Sequence, residues 1–127
     1  MAERGRIYCW PRKRDLGDSK TRPVLVIAPD VATSCSSRRV MVPISSDPRL
    51  ASQPLAVALP ANPDTGLKQQ SYAMAWQPTT VLRQQLDGPL GRITPELLRE
   101  VLCGLATALD LSMLEPWQDS PKNKSQG

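Results

Sequence analysis

The sequence predicts a mainly β (α+β) fold: an antiparallel sheet or small barrel with one helix laid on it at the C-terminal end. Three observations carry this. The apolar runs are short and stop at turn-forming residues, with 13 Pro in 127 residues. One of them, in "TRPVLVIAPD" at residues 21–30, is uninterrupted from Val24 to Ile27, as in a strand buried on both faces. Only the stretch that begins at Thr94 shows sustained helical periodicity. About five strands followed by a single helix make a sheet with a helix packed on it.

Taken in order, "RGRIYCW" alternates loosely and ends at Pro11, so a first strand is expected over residues 5–10. "PRKRDLGDSK" is charged and aperiodic, an exposed loop that delivers the chain to Arg22. In the central run Pro23 is expected at the first strand position, where its nitrogen owes no ladder hydrogen bond. Pro29 and Asp30 close that run with turn chemistry. "VATSCSSRR" is a second polar loop. "RVMVPISS" is the next strand, apolar over residues 40–44 and giving out into Ser45, Ser46 and Asp47. "QPLAVALPA" is a further strand ended by Pro60, and "NPDTG" is a turn in which Gly66 is free to take positive φ. "SYAMAW" reads as a short alternating strand, "QPTTVLRQQL" as a turn with one helical turn, and "GPLGRI" as a short strand or extended link.

The helix opens with Thr94 as N-cap, Pro95 at the first helical position and Glu96 favoured by the macrodipole. Leu97, Leu98, Val101, Leu102, Leu105, Ala108 and Leu109 then form one wide apolar stripe, facing the sheet or a second subunit. Periodicity fades after Leu111. One domain is therefore expected over residues 1–114, followed by a disordered tail over residues 115–127.

No apolar run approaches the ~20 residues that cross a bilayer, and the N-terminus lacks a signal-peptide core. A cytoplasmic protein without membrane contact is expected. Cys9, Cys35 and Cys103 are odd in number and widely separated, which speaks for reduced thiols. The net charge of +4 is uneven: residues 1–40 hold nine Arg/Lys against four Asp/Glu, and residues 41–127 seven against eight. A one-sided basic field suits a polyanion such as nucleic acid, and a solvated face equally well.

The absence of His excludes Ser-His-Asp and Cys-His nucleophile schemes. Gly66, Gly88 and Gly91 form no phosphate-cradling motif, and no residue cluster has metal-ligand spacing, so no cofactor and no metal are expected. What remains is polar residues at strand ends. If the strands around Val24 and Val42 pair antiparallel, Arg22 and Ser45 meet, a cation and a hydroxyl able to grip one phosphate. In isolation, Arg22 reads equally as a solvated strand end and Ser45-Ser46-Asp47-Pro48 as a turn.

In their order, "GRIY", "TRPVLVIAPD", "VMVPISSDP", "GLKQQSYAMAWQPTTV" and "LGRITPELLREVLCGLATAL" resemble the MazF/PemK-type toxins of bacterial toxin–antitoxin pairs. The resemblance runs over residues 5–111. It implies a compact SH3-like barrel of the CcdB/MazF kind with a C-terminal helix, assembled as a homodimer. It further implies a metal-independent, sequence-selective endoribonuclease acting on single-stranded RNA and silenced by a small acidic antitoxin. The strand-opening Arg of the family falls on Arg22, and its Thr or Ser after the "PI" pair falls on Ser45. Both suit attack of a ribose 2′-hydroxyl on the adjacent phosphate, which leaves 2′,3′-cyclic phosphate and 5′-hydroxyl ends.

Around these two catalytic candidates, Lys20, Thr21, Ser46 and Trp76 are the candidate RNA-binding residues. Trp76 is read either as a platform for a base, worth roughly 1–3 kcal/mol, or as core or interface filler. Some family members carry a His before the Arg, where this chain has Ser19, Lys20 and Thr21. Some carry an Arg and an Asp where Met74 and Trp76 stand, which leaves the general base unassigned. The alternative function is a non-catalytic toxin-fold module that binds a protein such as gyrase, as the related CcdB toxins do.

Overall fold

The computed structural model describes residues 4–11, 21–28, 37–111 and 114. Among the described residues there are seven strands: β1 (Arg6–Trp10), β2 (Arg22–Val26), β3 (Arg38–Ser45), β4 (Ala56–Leu59), β5 (Ser71–Met74), β6 (Thr79–Leu82) and β7 (Asp87–Arg92). Helix α1 (Pro95–Ala108) follows them. The strands pair antiparallel in the order β4-β5-β3-β2-β1-β7, with β6 on β3, a half-barrel with α1 packed against its main core.

β2 lies between β1 and β3 and is buried on both faces, as its continuous apolar run predicts. Leu25 and Ile27 join the main core with Ile7, Val42, Leu59 and Val101. Val24 and Val26 face a second cluster with Tyr8, Met41, Val81 and Leu86. Pro23 is the second residue of β2, not the first, and stands opposite Cys9.

β3 changes partner along one edge. Its first half pairs with β6 up to Met41↔Thr79, and its last two residues pair with β5 from Ile44↔Ala73. Pro43 lies in the gap between the two ladders, where a missing N–H donor costs least. β6 is the strand that periodicity did not disclose. Only Val81 of its four residues is buried, so the sequence carries no alternation to read. The helical turn expected there is a short 3-10 turn, Arg83–Gln85.

α1 starts as expected: the Thr94 hydroxyl accepts the N–H of Leu97 at 3.1 Å, with Pro95 in the first turn. Its stripe is covered less than its width predicts. Val101 is fully buried and Leu97, Leu98, Leu102 and Leu105 are half-buried, but Ala108 and Leu109 are exposed. The helix stops at Ala108, and Asp110 takes φ +53°, a conformation Asp tolerates. Among the described residues no helix is long and apolar enough to cross a membrane. Lys20, Cys35 and the expected tail over residues 115–127 lie outside the described residues.

Candidate active site

The β2–β3 register pairs Val24 with Pro43, and two more residues in that register bring Arg22 opposite Ser45. Both line one open groove of about 580 Å³, together with Thr21 and Ser46. Four of the six residues singled out in the sequence therefore share one concavity. Trp76 does not line it. It lies in the turn beyond the end of β5, four residues past the Tyr72 that pairs with Ser45. Trp76 is half-buried there.

Each polar group in the groove is held in a definite way. Ser45 Oγ accepts the backbone N–H of Asp47 at 3.2 Å, so its own hydrogen remains available to donate. Ser46 Oγ accepts from Gln69 Nε2 at 3.1 Å, a link across the groove. Arg22 is exposed at the strand mouth, and among the described residues no hydrogen bond or ion pair engages its guanidinium. Asp47, the nearest carboxylate in sequence, is committed elsewhere. Arg49 grips it through its side chain, the shortest contact being 2.7 Å, and donates its backbone N–H at 2.9 Å. The Arg49 hydrogen bonds hold the Asp47 carboxyl below its ordinary pKa, which makes it a poor proton acceptor.

Lys68 and Gln69 also line the groove, and sequence reasoning missed both. They follow the turn at residues 62–66, which is built around one buried hydroxyl. Thr65 Oγ1 donates to the Pro60 carbonyl at 2.8 Å and accepts the N–H groups of Asn62 and Leu67, each at 3.3 Å. Gly66 (φ +70°) and Gly91 let this turn lie backbone to backbone against β7. A Cβ on Gly66 would run into the Leu90 carbonyl, and one on Gly91 into Asp64 and Thr65. The Arg92 N–H donates to the Asp64 carbonyl at 2.8 Å across the same contact. Ser71 Oγ then donates to the Gln69 carbonyl at 2.9 Å, fixing the segment as it enters β5. The signal that could have found Lys68 and Gln69 is topological. Because β5 runs antiparallel to the end of β3, residues before Ser71 must pass beside those after Ser45.

The titratable side chains lining the groove among the described residues are Cys9, Arg22 and Lys68, and no carboxylate is among them. The site thus presents two cations and donor hydroxyls, an arrangement suited to a phosphodiester. Among the described residues no cluster of three metal-ligating side chains occurs.

Residues 3–109 match the family profile described as PemK-like, MazF-like toxin of type II toxin-antitoxin system. No curated protein matches the sequence. Solved structures do. An endoribonuclease in complex with its cognate antitoxin, from a mycobacterial species, is 27% identical with a TM-score of 0.70, covering 87% of this chain and 97% of that one. The Mycobacterium tuberculosis toxin MazF-mt6 is 20% identical with a TM-score of 0.68, covering 83% and 96%. The MazF of a MazE-MazF complex from Deinococcus radiodurans is 19% identical with a TM-score of 0.67, covering 84% and 93%. The last two, at their low identity, speak to the fold alone.

Proposed function

Because the chain belongs to the PemK-like, MazF-like toxins of type II toxin–antitoxin systems, we propose that it is an endoribonuclease cutting single-stranded RNA in the Arg22–Ser45 groove. The observation that carries this is the convergence of Arg22, Ser45 and Lys68 on one groove whose described lining holds no carboxylate. A carboxylate there would repel the substrate phosphate, and two cations attract it.

The ribose 2′-oxygen attacks the adjacent phosphorus, and the bond to the 5′-oxygen of the next nucleotide breaks. The products are a 2′,3′-cyclic phosphate and a 5′-hydroxyl. Negative charge grows on the non-bridging oxygens as the phosphorus gains its fifth bond. The Arg22 fork and the Ser45 O–H are placed to meet that charge, which is where fixed donors lower a barrier most. Lys68 adds a second positive charge from the opposite wall. Thr21 and Ser46 contact the flanking backbone, and Lys20 is read from its charge as a further RNA-binding residue. The 2′-hydroxyl proton must leave and the 5′-oxygen must gain one, and solvent exchanges both in a groove this open. With charge stabilisation drawn from side chains, cleavage proceeds in the presence of a chelator.

The exposed end of the α1 stripe, at Ala108 and Leu109, supports assembly as a homodimer. An acidic antitoxin segment laid over Arg22 and Lys68 would silence the toxin by occupying its cations. The test is incubation of the purified protein with mixed-sequence RNA in EDTA, followed by analysis of the ends. Cyclic phosphate and 5′-hydroxyl ends are expected. Intact RNA under all conditions would overturn the enzyme and leave a binding module.

A further inference from the structure

A second basic depression, of about 530 Å³, lies at the other end of β1. Arg4, Arg6 and Arg92 line it, with Asp64 as the one carboxylate in its wall among the described residues. The β1–β7 register sets Arg6 directly opposite Arg92. Opposed residues of an antiparallel pair share a face and lie within contact of each other, and like charges in that position repel. No side-chain hydrogen bond or ion pair to Arg4, Arg6 or Arg92 occurs among the described residues. Asp64 engages Arg92 through its backbone carbonyl and not through its carboxylate. Among the described residues, three permanent positive charges thus face one negative one. An anion seated between Arg6 and Arg92 would turn their repulsion into a two-sided clamp.

This depression and the active-site groove share a wall. The turn at residues 62–66 and its seat on β7 separate them, with Asp64 and Arg92 on one side and Gly66 and Leu90 on the other. Along β1, Arg22 stands opposite Trp10 and Arg92 opposite Arg6, and with β2 and β7 on opposite sides of β1 the two Arg backbones lie roughly 16 Å apart. A few nucleotides bridge that distance, within the smallest single-strand site sizes of about four nucleotides.

We infer that the Arg4–Arg6–Arg92 depression is a backbone-phosphate site that holds the flank of the RNA strand whose reacting phosphate sits at Arg22. This rests on the RNA reading of the groove. An acidic peptide also carries anions, but the continuity with the groove favours the strand that already occupies it. The contact is with phosphates, so it adds affinity without base preference and responds to salt.

The experiment measures binding of fluorescent 2′-deoxy strands against salt for the full chain. Such strands carry the same phosphates and lack the attacking hydroxyl. Strands of 2 and 16 nucleotides are compared for the parent, for Arg6→Gln/Arg92→Gln and for Arg6→Lys/Arg92→Lys. Each single-strand phosphate contact contributes about 0.7 to the log–log salt slope. The Gln variant is expected to have a slope shallower by about 1.4 on the 16-mer and an unchanged slope on the 2-mer, whose single phosphate cannot span both sites. The Lys variant, which keeps the charges, should retain the parental slope, and it guards against a Gln variant that fails to fold. Equal slopes for parent and Gln variant, while the parent still cuts RNA in EDTA, would overturn this inference and leave the enzyme standing. So would a Gln variant that loses binding only to a Glu-rich peptide. A parent that neither binds nor cuts RNA would remove both.

Discussion

One wall of the groove is made of strand ends, and the other is a segment carried by a turn pinned to β7. Arg22 and Ser45 stand on the first, where the β1–β2–β3 ladder sets their backbones and the core beneath is complete without them. Lys68 and Gln69 stand on the second, where position depends on Thr65, Gly66 and Gly91. The difference teaches that chemistry and stability are separable on one side of this site and joined on the other. Substitution at a strand mouth removes a functional group from an intact sheet. Substitution in the pinned turn moves a whole wall.

The largest effect is expected at Arg22. Arg22→Lys keeps the charge and loses the planar fork, and removal of a positioned oxyanion donor costs about 100- to 1,000-fold. RNA cleavage in EDTA checks the rate, and circular dichroism should show parental folding and thermal midpoint. A folded Arg22→Lys protein that cuts at the parental rate would take Arg22 out of the mechanism.

Gly66→Ala should break the other wall. The residue holds φ +70°, where a side chain costs of order 1–3 kcal/mol, and the new Cβ meets the Leu90 carbonyl. Thermal midpoint and cleavage rate should fall together, since Leu67, Lys68 and Gln69 shift with the turn. Retained stability with lost activity would show that the turn is not pinned as described.

Ser45→Ala sharpens the contrast at smaller scale. It removes one neutral hydrogen bond to substrate, worth about 0.5–1.5 kcal/mol, so a loss of roughly 2- to 10-fold is expected. Stability should change little, because the Asp47 N–H that the hydroxyl accepts lies near solvent. A loss equal to that of Arg22→Lys would give Ser45 a larger part in the reaction.

The smallest effect is expected at the exposed Asp47–Arg49 pair, which flanks the groove without lining it. Exposed pairs of this kind contribute little. Arg49 depresses the Asp47 pKa, so whatever the pair adds is present above the unfolded-state pKa and lost only as pH falls through the folded one. Asp47→Asn should therefore melt at most slightly below the parent from pH 8 to pH 5, and the gap should close as pH falls through the carboxylate range. A gap that persists at low pH would mean that position 47 holds something besides Arg49.

Much of this molecule is legible without coordinates. The run at Val24–Ile27 announces a strand with two buried faces because no residue in it tolerates water. Thr94-Pro95-Glu96 announces the helix start because three independent end effects coincide there. Order along the chain carries the family resemblance, and Arg22 and Ser45 come into view from it together with the simple expectation of antiparallel pairing.

Other features belong to the tertiary structure alone. β6 exists through its ladder to β3, and a strand with one buried residue leaves no periodic trace in sequence. How much of the α1 stripe is covered depends on where the sheet ends beneath it, so Ala108 and Leu109 look like core in the sequence and lie in solvent in the fold. Trp76, adjacent in sequence to the strand that borders the groove, falls in the turn past that strand and outside the groove lining. Lys68 meets Arg22, and Arg6 meets Arg92, across chain separations that no local pattern encodes. Local chemistry decides what a segment becomes. Pairing register, a sum over the whole sheet, decides which charges face one another.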